Sequence, residues 1–183
     1  MFGLLRRRPH ERTGFELYSA AVAAAREPWA FAVLGVPDSL AGRFDLISMH
    51  VALLIRRLRA DPDPRGALLG QAVFDAMFAD MDVNLREMGV GDMSIGKRVK
   101  GLWEAWHGRT LAYEAALDAG DSPALAAAIS RNIFAGHAAA DAAGPQALAA
   151  YAEALAAALA AQPLAGLLSG QLRFPPTPGD IVP

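Results

Sequence analysis

The sequence predicts an all-α protein, a single-domain bundle of about six helices with an irregular apolar connection after the first. Three observations lead there. Hydrophobic residues make up 54% of the chain, but much of that is alanine, which favours helices and contributes little buried area per residue. The larger apolar residues recur at intervals of three and four over long runs, the helical period. These runs are separated by breakers such as Asp61-Pro62-Asp63-Pro64 and Gly144-Pro145. At 183 residues and 19.3 kDa the chain suits one domain with a substantial core.

Phe15, Tyr18 and Val22 mark a first helix over residues 14–27, stopped by Pro28, whose ring cannot continue the ladder. Residues 29–38 form the apolar connection, either irregular or one helical turn. Asp38 or Ser39 then caps a helix running to about residue 60, whose Leu40, Phe44, Ile47, Val51, Leu54, Ile55 and Leu58 cover a wide face. Its closing Arg56, Arg57 and Arg59 complement the helix dipole. A third helix, residues 66–88, shows two apolar stripes: Leu69, Val73, Ala76 and Met77, and Phe74, Phe78, Met81, Leu85 and Met88. A helix apolar on two sides is central in a bundle or offers one side to a partner, and methionine with phenylalanine suits an adaptable surface.

Residues 89–92 read as a corner, with Gly89 left-handed at the helix end and Asp92 capping the next helix. That helix, about residues 93–119, carries Ile95, Val99, Leu102, Trp103, Trp106, Thr110, Tyr113 and Leu117 on one face. Arg98 and Arg109 flank this face, and at least one is expected to pair with an acidic residue of helix 66–88. Ser122-Pro123 opens a fifth helix to about residue 135, and Gly144-Pro145 a sixth with Leu148, Tyr151, Leu155 and Leu159. The chain thus divides into a flexible segment 1–13, a helical domain 14–162, and a Pro- and Gly-rich tail 163–183 expected to be extended or disordered.

A net charge of -2 and a pI of about 6.1 supply no global basic field, so DNA is not an expected partner. The absence of cysteine removes disulfides, thiolate metal sites and cysteine nucleophiles, and fits the cytoplasm. Phe2, Leu4 and Leu5 before Arg6, Arg7 and Arg8 do not make a secretory signal; they read as a frayed terminus or a contact with an anionic membrane surface. Residues 154–172 lack charge, but Gln162, Pro163, Gly166 and Gly170 interrupt them, and they are not read as a membrane span.

Charge is densest over residues 80–100, which makes this stretch the expected functional surface. Residues 91–97 satisfy the start of a phosphate-binding loop, but Arg98 replaces the magnesium-holding Ser or Thr and no strand precedes it. Asp80, Asp82 and Asn84 imitate a calcium loop until Leu85 and Gly91 break it. His10, His50, His107 and His137 lack metal-ligand spacing. Lys97, Arg98 and Lys100 form a basic patch, either a solvated face or a dock for an acidic partner, a ribosome or anionic lipid. An alternative is a helical enzyme or small-ligand binder using an interior polar pocket near Asp80, Asn84 and Glu87.

Val36-Pro37-Asp38, Gly42-Arg43-Phe44-Asp45, Met81-Asp82, Leu85-Arg86-Glu87-Met88-Gly89-Val90-Gly91-Asp92, Lys97, Lys100, Gly108-Arg109, Ala112-Tyr113 and Arg131-Asn132 together resemble the ubiquinol-cytochrome c chaperone family. The likeness covers roughly residues 15–135 and is most specific at Leu-Arg-Glu-Met-Gly-Val-Gly-Asp. It departs at Trp106-His107, where Phe-Tyr is expected. The resemblance implies an assembly chaperone of the cytochrome bc1 complex that binds newly made cytochrome b, with no catalysis and no cofactor of its own. Mitochondrial members act with a small helical partner near the ribosomal exit, and a place on the inner membrane surface would suit a bacterial one. The client-contact residues expected are Asp82, Arg86, Glu87, Asp92, Lys97, Lys100 and Arg109, with Phe78, Met81, Leu85 and Met88 as the apolar part.

Overall fold

A computed structural model describes residues 10–177, and among them every regular element is a helix. The order is α1 (Glu11–Ala25), α2 (Trp29–Ala32), α3 (Leu40–Arg59), α4 (Pro64–Glu87), α5 (Asp92–Ala119), α6 (Ser122–Asn132), α7 (Ala143–Ala160) and α8 (Leu164–Leu168). The apolar wedge of Phe2, Leu4 and Leu5 with its three arginines lies outside the described residues.

The core is built on α3, which packs against α1, α4, α5 and α7. Every residue from 45 to 55 is buried, because this run is apolar around the whole helix and can only be stable if covered on all sides. Ser39 caps it, its hydroxyl accepting from the Gly42 N–H at 3.1 Å, while Asp38 pairs with Arg43 instead. Gly14 lets α1 press onto α4, since a Cβ there would stand 2.6 Å from the Ala72 backbone.

Of the buried polar residues of α3, Asp45 and His50 find partners, while the Ser48 hydroxyl makes no hydrogen bond among the described residues. His50 is wholly enclosed, with Nδ1 2.9 Å from the Leu46 carbonyl and Nε2 3.1 Å from the Tyr151 hydroxyl. A carbonyl only accepts, so Nδ1 carries the proton and Nε2 accepts from tyrosine. Burial lowers the His50 pKa from 6.5 to about 4, so the ring is neutral.

The ion pairs along α3 fix the direction of α5. Asp45, near the start of α3, meets Arg109, and Arg56, near its end, meets Asp118. The two helices therefore run the same way, with only the last part of α5 beside α3. Residues 92–104 of α5, about 20 Å of helix, project past the start of α3 and lean on α4.

Chain beyond Pro163 departs from expectation. Residues 164–168 form α8 where an extended or disordered tail was expected, and residues 171–174 follow without regular secondary structure as a packed strap. Leu164, Leu167 and Leu168 recur at helical spacing, and Leu167 is fully buried. Gln162 closes the strap, its amide donating to the Arg173 carbonyl and its oxygen accepting from the Arg173 N–H, both at 2.9 Å. At the other end α1 begins at Glu11, ahead of the expected boundary at residue 14.

Two outcomes follow. Leu167→Ala should cost about 2–4 kcal/mol in urea unfolding, as for any enclosed leucine; a loose tail would leave the midpoint unchanged. Because the His50 pKa is depressed on folding, its stabilisation is complete above pH 6.5 and is lost as pH falls toward 4. Between pH 7 and 4.5 the wild type should lose on the order of 2 kcal/mol relative to His50→Leu, with Asp45 common to both proteins; parallel pH profiles would refute this.

Candidate functional site

The α4–α5 corner closes as a Schellman turn. Met88 ends α4, Gly89 turns left-handed at φ 82°, the Val90 N–H donates to the Leu85 carbonyl at 3.0 Å, and the Gly89 N–H to the Arg86 carbonyl at 2.9 Å. Asp92 was expected to cap α5 and does not: Gly91 holds the cap position, and no side chain bonds there. The Asp92 carboxylate instead accepts from Arg86, which also donates to Asp82 at 2.7 Å. One guanidinium thus bridges the last turn of α4 to the first turn of α5. The pairing raises the Arg86 pKa, with Asp82 the larger cause.

Of the residues selected from sequence, Asp82, Arg86, Glu87, Met88, Asp92, Lys97 and Lys100 lie on this corner or the adjoining face of α5, all wholly or partly exposed. Lys100 approaches Glu104 at 3.7 Å, and Lys97 and Arg98 have no ionic partner among the described residues. The apolar ridge is less available than its composition suggests. Met81 and Leu85 are 6% and 9% exposed, and Phe78 is half-buried, its ring 4.4 Å from Phe74 and 6.5 Å from Trp106. These three seal α4 to α5; only Met88 of the ridge stands in solvent, 53% exposed.

Two apolar residues were not singled out for the surface and belong to it. Met93, in the first turn of α5, is completely exposed. Trp103 was assigned to the covered face, yet it is exposed and stacks on His107, ring centroids 5.3 Å apart and planes 3° from parallel. The signal for both was present in the geometry of the corner rather than in periodicity: a helix that overhangs its bundle keeps its apolar period but has fewer neighbours to bury it.

Arg109 falls elsewhere. Twelve residues beyond Lys97, about 18 Å along α5, it pairs with Asp45 of α3 rather than with an acid of α4, while Arg98 stays exposed. Burial pushes Asp45 up to about 6 against the opposing pull of this guanidinium. The Tyr113 hydroxyl lies buried beside Asn132 without a well-formed hydrogen bond. Arg109 and Tyr113, both from the motifs quoted above, therefore belong to the buried scaffold of α5, where Arg109 ties it to α3.

The polar strip Asp80, Asn84 and Glu87 does not converge on a ligand cavity. Asp80 accepts from the Tyr18 hydroxyl at 2.7 Å, Asn84 donates to the Asp80 carbonyl at 2.7 Å, and Glu87 is exposed. The neighbouring groove includes Asp80 but neither of the others. Among the described residues no three His, Asp or Glu gather as metal ligands, and no helix is long and apolar enough to cross a membrane.

An all-helical bundle with an overhanging, ionically braced corner is the class of protein defined so far. Residues 32–174 match the family model described as ubiquinol-cytochrome C chaperone, and the chain belongs to that family. It is similar over 92% of its length to a solved structure, the Cbp3 homolog from Brucella abortus, at 34% identity, with 91% of that chain covered and a TM-score of 0.82. No curated protein matches at a significant level. The family match runs through α7 to Phe174, so it includes the strap and extends beyond the residues that carry the sequence resemblance.

Arg109→Ala should destabilise the fold by about 3–5 kcal/mol, because it leaves Asp45 buried and unpaired. Replacing both residues, Asp45→Asn with Arg109→Gln, should recover much of that loss in urea unfolding. Equal losses in the single and double variants would show that the pair holds α5 to α3 by packing alone.

Proposed function

We propose that this chain is an assembly chaperone of the cytochrome bc1 complex which takes newly made cytochrome b at the α4–α5 corner, working at the membrane surface as a peripheral protein. Family membership supports the class. The observation that supports the place is the exposure of Met88 and Met93 beside Lys97 and Arg98, cations without an ionic partner among the described residues. Soft thioethers adapt to apolar helices of varied shape, and nearby charge orients a client without requiring deep burial.

The corner also has the mechanics such a task needs. Arg86 ties the two helices together through Asp82 and Asp92, while Phe78, Met81 and Leu85 seal the seam beneath. The client would meet a stiff tip: Asp82, Arg86, Glu87, Met88, Asp92, Lys97 and Lys100, with Met93 and Trp103 added and Arg109 assigned to the scaffold. Holding and releasing a polypeptide requires no catalytic group and no cofactor, and the reading assigns none.

The test is affinity capture of cytochrome b by the tagged chain in cells lacking their own copy, with quantification of assembled bc1 complex. Wild type should retain cytochrome b and restore the complex, and Lys97→Glu with Lys100→Glu should reduce both several-fold while the helical signal is unchanged. Unchanged capture by the charge-reversed chain would remove the corner from the proposal. Normal bc1 levels in the deletion strain would remove the function.

A further inference from the structure

On the side of α4 turned away from α5, a groove of about 1140 Å³ opens between α1 and α4. Its floor on α4 runs from Leu68 through Ala72, Ala76 and Ala79 to Val83, a stripe at helical spacing about 22 Å long. The alanines make the hollow, and larger side chains stand at its margins. Phe15, Leu68 and Val83 are about half exposed, an alignment of large apolar residues that a solvated surface has no use for. The rim carries Glu11 and Asp80, with Asp75 beside them already accepting from the Gln71 amide at 2.8 Å, whereas the guanidinium of Arg12, which also lines the groove, is drawn to Glu16 at 3.1 Å.

We propose that this groove is a second docking site, one that receives a basic amphipathic helix of the membrane-protein client. The inference rests on the chaperone reading for the identity of the partner and on charge complementarity for its chemistry. Loops of membrane proteins on the cytoplasmic side are enriched in Lys and Arg, and a helix near the membrane surface presents those cations opposite an apolar stripe. Such a helix of about four turns matches the groove in length, seats its apolar stripe on the alanines between Phe15, Leu68 and Val83, and sets its cations against the acidic rim. The corner at the end of α4 and the groove along it then contact different parts of one client.

Fluorescence anisotropy on the full chain tests this, using a labelled synthetic peptide of about 15 residues with leucines at intervals of three and four and lysines opposite. Wild type should bind it in a salt-sensitive manner. Leu68→Lys with Val83→Lys should weaken binding at least about tenfold, both side chains being half exposed and replaceable without unfolding. The same peptide with Glu for Lys should bind at least about tenfold more weakly. No binding, or full binding by the Leu68 and Val83 variant, overturns the proposal. A dimer abolished by that variant would instead assign the groove to a second copy, and binding that emerges only after Arg6, Arg7 and Arg8→Ala would assign it to the chain's own N-terminal segment; either overturns the client assignment. Cytochrome b capture is read separately: capture without peptide binding sinks the groove alone, and peptide binding without capture sinks the chaperone reading and the client identity with it.

Discussion

A helix that is apolar all round cannot sit on a surface, and α3 is such a helix from residue 45 to residue 55. Four helices must cover it, and α1, α4, α5 and α7 do so. Much of the rest is consequence. Two of the polar groups carried inside on α3 are matched from the covering elements: Asp45 by Arg109 of α5, and His50 by Tyr151 of α7. Phe174 lies beside the same imidazole, its ring 5.9 Å away, so the strap after α8 completes the enclosure.

The overhang is a matter of length and register. At 20, 24 and 28 residues, α3, α4 and α5 span about 30, 36 and 42 Å. The Asp45–Arg109 pair sets the latter part of α5 against α3, which leaves its first 17 residues, 92 to 108, to extend beyond that pairing. There α4 is their main support, and the aromatic contact of Phe74 and Phe78 with Trp106 forms the root of the projecting hairpin. Buried scaffold chemistry therefore determines how far the corner stands from the bundle. Because the tip is cross-linked by exposed ion pairs rather than by a large core, its shape depends on side chains that solvent also reaches.

This accounts for what could and could not be read from residues alone. Helical spacing located the long helices closely, since Pro28, Pro64, Gly89 and Pro145 punctuate the chain where backbone geometry requires it. The left-handed Gly89 was legible for the same reason. The partner of Arg109 was not: angular position places a guanidinium on the flank of a helix but says nothing of which neighbour lies there, and Asp45 sits amid apolar residues that disguise it. Trp103 and Met93 share the period of buried residues, and only the register of α5 against α3 exposes them. The strap was hidden by composition, because Pro and Gly suggest disorder unless the leucines between them find a vacant side of a core.

The near-neutral formal charge conceals an arrangement that composition cannot express. On α4, the residues facing α1 border an acidic, apolar groove, while the opposite side is sealed to α5, whose first turns carry Lys97, Arg98 and Lys100 into solvent. The net charge of -2 therefore says little about the local arrangement. Within a Debye length of about 8 Å, a partner senses the local sign and not the sum. An α-helical rod is roughly 10 Å across, so α4 keeps the groove beside α1 apart from the cations that α5 carries on its other side.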